Sequence, residues 1–262
     1  MFPFITFLGR EYPTYVILGL VGLFLGVIVA VFRTHRYGFT RSEPVYISVF
    51  AGFGLLVGSI LLFGITQLPY IWENRTYFFS DFLYYVSRFF GGMVFYGGLL
   101  GSVIGIYIYC RIMKTHFSLA MKLVLPVFPL AHAVMRIGCF AGGCCYGIEH
   151  PSPLGIAFTQ AIGAPNNVPL LPVQLYESIT NIVIFAILWY YTKKERDWIE
   201  IACLYGIIYS FIRFWTEFLR GDAIRGFVLG LSTSQFISVI VFFVSIFLFI
   251  RKQKYAKKCY VK

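Results

Sequence analysis

Apolar stretches of roughly one bilayer's length recur along the chain, set apart by short segments rich in charge, glycine and proline. They predict helices over 14–32, 45–66, 91–110, 118–139, 174–191, 199–219 and 233–250. With a rise of about 1.5 Å per residue, about 20 residues cross the hydrocarbon core. The pattern therefore reads as an all-α polytopic membrane protein with about seven transmembrane helices. Residues 1–262 are expected to form a single transmembrane domain with longer loops at about 67–90 and 141–173. The first run, Tyr15 to Phe32, should stay as a crossing: Arg10 is offset by Glu11, and no small-residue cleavage site follows. Between Gly91 and Phe140 the glycines (Gly91, Gly92, Gly97, Gly98, Gly101, Gly105) permit either close helix contact or a broken, re-entrant helix.

Composition supports the membrane reading. Of 262 residues 59% are hydrophobic and only 13% charged, against about 25% charged in a soluble domain. A soluble globule is excluded, and no room is left for a separate soluble domain. The net charge of +11 is read first as topology, so it does not call for nucleic acid. Arg33, Arg36 and Arg41 follow the first crossing, Arg111 and Lys114 the third, Lys193, Lys194 and Arg196 the fifth, and the tail carries Arg251, Lys252, Lys254, Lys257, Lys258 and Lys262. By the positive-inside rule these segments are cytoplasmic. The N terminus and the 67–90, 141–173 and 220–231 loops then face outward, and the C terminus is cytoplasmic. No internal repeat is evident, and the basic tail reads as an anchor with some attraction to anionic lipid.

Candidate chemistry lies where charge sits at membrane depth, because a central charge costs about 2.5–3.5 kcal/mol even on a lenient scale. Arg136 lies near the outer end of the fourth predicted helix, with His132 one turn before it. Arg213 lies well inside the sixth and shares a face with Glu217 and Arg220. One reading is an ion pair of Arg213 with Glu217 that orders the bundle, with Arg136 snorkelling to the interface. The other is a site for an anionic headgroup, since guanidinium groups bind phosphate at two points and Glu177 can orient them.

Three of the six cysteines cluster at Cys139, Cys144 and Cys145. An outward position allows a disulfide from Cys139 to Cys144 or Cys145. A zinc site recruiting His132 or His150 and a redox pair at Cys144-Cys145 are alternatives, although no regular finger spacing is present. A tightly packed glycine-rich cap is the plainest reading. The sequence calls for no metal and no cofactor.

Taken in order, Gly91-Gly-Met-Val-Phe-Tyr-Gly-Gly-Leu-Leu-Gly101, Arg136-Ile-Gly-Cys-Phe140 running to Gly147, Gln174-Leu-Tyr-Glu177 and Arg213-x-x-x-Glu-Phe-x-Arg220 resemble the bacterial prolipoprotein diacylglyceryl transferase family. The likeness runs from Tyr15-Val-Ile-Leu-Gly-Leu-Val-Gly22 to Gln235. It implies seven crossings with the N terminus outside, a place in the bacterial plasma (inner) membrane, and an active site facing the outer side. It implies transfer of the diacylglyceryl group of phosphatidylglycerol to the lipobox cysteine of a preprolipoprotein, with release of glycerol phosphate. Phosphatidylglycerol, the lipobox segment and membrane lipids are then the expected partners. Arg136 and Arg213 look like the phosphate-binding arginines, with Glu177 and Glu217 as orienting acids and Arg220 beside them. Tyr15 looks like the family's amino-terminal tyrosine, and Gly97, Gly98, Gly138 and Gly147 like the backbone that shapes the cleft.

The chain also departs from the family pattern. Tyr96 precedes Gly97 and Gly98 where the family reads His-Gly-Gly, Phe90 stands at a preceding acidic position, and Cys139 and Cys144 stand for Asn and Glu. An arginine expected between Gly52 and Leu62 is absent. Tyr96 and His132 are therefore the catalytic candidates beside the arginines, Tyr96 as a donor to the phosphate and His132 as a base. A phosphatidylglycerol-dependent transferase with another acceptor, such as a surface glycan or lipid, and a non-enzymatic lipid-binding or transport protein are the alternatives.

Overall fold

A computed structural model describes residues 2–7, 9–77, 79–222, 227–228 and 230–260. A short hairpin, β1 (Phe4–Phe7) with β2 (Arg10–Pro13), leads into α1 (Thr14–Val31). The one-turn α2 (Thr34–Tyr37) and the long α3 (Glu43–Glu73) follow, then α4 (Phe82–Phe90), α5 (Phe95–Ile112), α6 (Phe117–Val124) and α7 (Phe128–Gly142). β3 (Ile156–Ala157) pairs antiparallel with β4 (Pro169–Leu170) before α8 (Val173–Tyr191) and α9 (Trp198–Thr216). A 3-10 turn (Glu217–Leu219), the pair β5 (Phe227–Val228) and β6 (Leu231–Ser232), and α10 (Thr233–Tyr260) complete the order.

Among the described residues, five helices are long and apolar enough to cross a membrane: α1, α3, α8, α9 extended through its 3-10 turn, and α10. The stretch expected as one helix over 118–139 is two, α6 and α7, bent by 46° at a break containing Pro126. Proline there removes a backbone donor and clashes with the preceding turn. Counted as one bent span, the pair makes six.

The expected 67–90 loop is largely helical. The helix expected to end at 66 continues through Pro69 to Glu73 as α3, and residues 82–90 form amphipathic α4. Its Arg88 guanidinium lies 3.8 Å from the Tyr70 ring centroid, a cation–π contact that holds α4 to the end of α3. By contrast, residues 143–172 contain no helix and are tied instead by the β3–β4 pair and a small core of Phe158, Ala164 and Leu170.

Two compact units are present, Val31–Ala120 and the remainder. In the first, α3 and α5 touch backbone to backbone through Gly54, Gly58, Gly97, Gly101 and Gly105. A Cβ on Gly101 would fall against the Gly54 carbonyl oxygen and 3.1 Å from the Gly58 Cα. Small residues are needed because close approach is what drives helix association in lipid. Of the two structural options for this glycine-rich stretch, close contact is the one used.

The second unit packs α1 on α7 and builds α7, α8, α9 and α10 around a polar seam. The buried face of α8 runs Gln174, Glu177, Ser178, Asn181, Ile184, Leu188, a helical repeat whose first half is polar and whose second is apolar. Ser178 donates to the Ala133 carbonyl at 3.0 Å, fastening α8 to α7. α9 starts at Asp197, whose side chain accepts from the Ile199 N–H at 2.8 Å.

The α3–α5 seam predicts a contrast between two glycines of the same helix pair. Gly101→Ala should lower the thermal unfolding midpoint in detergent, by a loss on the order of 1–3 kcal/mol for overpacking. Gly52→Ala, where a Cβ meets nothing within 4 Å, should leave the midpoint unchanged or raise it.

Candidate active site

The polar half of α8 delivers Glu177 to the centre of the second unit, where it is only 5% exposed. A buried carboxylate requires cationic partners, and three arginines from different segments supply them. Arg136 of α7 meets Glu177 Oε2 through Nε at 2.6 Å. Arg213 of α9 donates from Nη1 to Glu177 Oε1, and Arg220 Nη1 lies 3.5 Å from the same oxygen. Arg136 and Arg213 thus meet on one buried anion, Glu177.

A second layer fixes the arginines. Arg213 Nη2 pairs with Glu217 Oε2 at 2.8 Å and donates to Ser234 Oγ at 3.3 Å. Glu217 accepts from Ser232 Oγ at 2.9 Å. Ser232 and Gln235 form a capping box at the start of α10: Ser232 N–H donates to Gln235 Oε1 at 3.0 Å, and Gln235 N–H to Ser232 Oγ at 3.1 Å. Arg220 binds Asp222 at two points, 2.8 and 2.7 Å. Burial works against the Arg220 charge, but Asp222, Cys145 and Glu177 outweigh it and hold the group more firmly protonated than usual. Three arginines therefore face three carboxylates. The space beside Glu177, lined by Asn181, Tyr209, Arg213 and Thr216 among others, is about 10 Å³, room for roughly one water.

Ser232, Ser234, Asp222 and Gln174 were not among the site residues expected from sequence. The Ser-x-x-Gln spacing before the last apolar run was the available signal for Ser232. Gln174 lies one turn before Glu177 and donates from Nε2 to the Cys144 carbonyl at 2.7 Å.

The remaining expected residues divide by unit. Gly138 sits under α1, where a Cβ would come within 2.9 Å of the Tyr15 Cα. This contact explains both the glycine and the position of Tyr15. Gly147 donates to the Leu171 carbonyl at 3.1 Å and bridges to Arg220. His132 is buried between the rings of Phe128 and Tyr209, with centroids 6.0 and 5.6 Å away. Cys139, Cys144 and Cys145 are free thiols rather than a disulfide. Hydrogen bonds from Cys139 and Cys144, aided by Arg136 and Arg220, hold the Cys145 thiol well below its ordinary range despite burial. Tyr96, Gly97 and Gly98 belong to the first unit: Tyr96 is 37% exposed, and a Cβ on Gly97 or Gly98 would strike Gly58 or Ser59.

Removing the shared anion should be costly. Glu177→Leu leaves buried arginines short of a counter-charge and should destabilise the fold by about 3–5 kcal/mol. Glu195→Ala removes an exposed partner 3.4 Å from Lys122 and should change stability by less than about 1 kcal/mol. Thermal unfolding of both variants in the same detergent checks the difference.

With this geometry in view, similarity to known proteins becomes informative. The family model for prolipoprotein diacylglyceryl transferase matches residues 3–251. A phosphatidylglycerol–prolipoprotein diacylglyceryl transferase of Clostridium tetani is 36% identical over 230 residues, covering 87% of this chain and 88% of that protein. A second protein so named, from Clostridium perfringens, is 33% identical over 229 residues, 87% of this chain and 86% of its own. One from Clostridioides difficile is 30% identical over 236 residues, with 90% and 88% covered. With nearly its whole length matched, and with the arginines and acids of the resemblance assembled in one buried cluster, the chain belongs to the prolipoprotein diacylglyceryl transferase family.

Proposed function

We propose that this protein transfers the diacylglyceryl group of phosphatidylglycerol to the lipobox cysteine thiol of preprolipoproteins. The observation that carries the reading is the convergence of Arg136, Arg213 and Arg220 on Glu177 within helices of membrane character. In this reaction the incoming thiolate loses its charge as it becomes a thioether, while the phosphodiester monoanion leaves as a phosphate monoester dianion. Negative charge thus moves onto the phosphate, where guanidinium groups stabilise it most. Arg136 engages Glu177 through Nε, so its terminal nitrogens are the proposed phosphate donors, with Arg213 and Arg220 completing the set. Since the space beside Glu177 is small, the headgroup must take over some of the arginine donors that the carboxylates hold.

The same reading counts α5 as a seventh crossing: its 18 residues span about 27 Å, close to the hydrocarbon thickness. With the basic segments inside, the N terminus and the 141–173 loop lie outside, the C terminus is cytoplasmic, and the site opens to the outer side of the bacterial plasma membrane. His132, enclosed by aromatic rings, is proposed to pack rather than to carry the thiol's proton.

Incubation of the purified protein with labelled phosphatidylglycerol and a lipobox peptide should yield thioether and glycerol phosphate in equal amounts. Consumption of the lipid without thioether would overturn the reading. Arg213→Lys should lower kcat/KM by about 10- to 100-fold, since an ammonium replaces a two-point contact.

A further inference from the structure

Helix α7 ends in a thiol, Cys139, and the chain then folds back over that end. Gly143, at φ 66°, closes the helix with its N–H directed to the Cys139 and Phe140 carbonyls. Cys145 repeats the left-handed conformation at φ 57°. The Cys144 N–H returns to the Cys139 carbonyl at 3.0 Å. As a result the Sγ atoms of Cys139, Cys144 and Cys145 all lie within 4.8 Å of one another. Left-handed backbone is strained at a residue with a Cβ, and glycine would avoid that strain. The fold holds a thiol at 145 in spite of that strain.

The loop is pinned on both sides, by Gln174 on the Cys144 carbonyl at 2.7 Å and by the Ile148 N–H on the Leu219 carbonyl at 2.9 Å. Cys144 and Cys145 are partly buried, and the Cys139 thiol lies deeper. Zinc–sulfur bonds of about 2.3 Å place the sulfurs of a tetrahedral site about 3.8 Å apart, so closure from 4.8 Å needs only small side-chain movements. A disulfide would use two of the sulfurs and leave the mutual approach of the third without purpose.

We propose that Cys139, Cys144 and Cys145 bind a thiophilic divalent cation of the zinc class, and that its fourth coordination position receives the acceptor cysteine. The second half rests on the transfer reaction proposed above. Three protein ligands with one open position is the arrangement of catalytic rather than structural zinc. The acceptor S–H gives its proton to the water or hydroxide it displaces, and the sulfur binds as thiolate. A sulfur electron pair then forms the C–S bond to the glycerol carbon while the C–O bond breaks. The pair of that bond leaves on the phosphate oxygen, beside the arginines. No side-chain base is then needed to take the thiol's proton.

The test uses the full-length protein purified in detergent without chelator. Metal analysis should find about one zinc per chain, falling at least tenfold in Cys144→Ser/Cys145→Ser and remaining in Cys203→Ser. Cobalt titration of the wild-type protein should give a thiolate charge-transfer band that rises by about one third when a lipobox peptide, but not its serine counterpart, adds a fourth sulfur. Metal-free protein that forms thioether at the full rate would overturn the inference while leaving the transfer reaction intact. So would active protein whose cysteines are found disulfide-bonded, or a cobalt band unchanged in the double variant. A cobalt band that responds to the cysteine peptide supports the inference even if no thioether forms, a result that would instead sink the transfer reading.

Discussion

A buried carboxylate that needs more positive charge than one neighbour can supply organises this protein. Glu177 collects Arg136 from α7, Arg213 from α9 and Arg220 from the segment after it. Glu217 pairs with Arg213 and Asp222 with Arg220, and the Ser232–Gln235 capping box carries that balance into α10. A guanidinium at membrane depth is tolerated only when paired. The helices therefore cannot separate without exposing charge to lipid, so fold and site are held by the same contacts.

The cluster is also closed and charge-balanced in this form, with little free volume beside Glu177. In the proposed reaction an anionic headgroup would compete with carboxylates for donors that are already oriented, which is the condition for selective stabilisation of the more highly charged leaving phosphate. Preorganisation of this kind favours arginine over lysine, because a planar fork keeps its direction when its partner is exchanged.

Much of this was legible in the sequence. Apolar run length marked the membrane helices, and ionisable residues inside them marked the buried ion cluster, because both carry large energetic penalties elsewhere. The ion-pairing alternative for Arg213 and Glu217 and the headgroup alternative for the arginines are compatible: the pair exists, within a larger network. Less legible were features set by tertiary context. Pro69 did not stop α3, and Pro126 broke the span that contains it. Gly97 and Gly98 looked like cleft backbone, yet their immediate neighbours are Gly58 and Ser59 of α3, a helix-packing role that spacing alone does not separate from a functional one. The cysteine cluster was visible as composition, but its convergence depends on two left-handed residues, one of which is not glycine.

The central claim is that Arg136 and Arg213, held by one carboxylate, act on one phosphate. A double-mutant cycle on kcat/KM for transfer, using Arg136→Lys and Arg213→Lys with matched expression and unfolding controls, tests it most directly. A shared phosphate predicts strong non-additivity, with the double variant little worse than the more damaged single variant and a coupling of about 0.5–3 kcal/mol. Strictly additive losses would contradict the account and assign the two arginines separate roles.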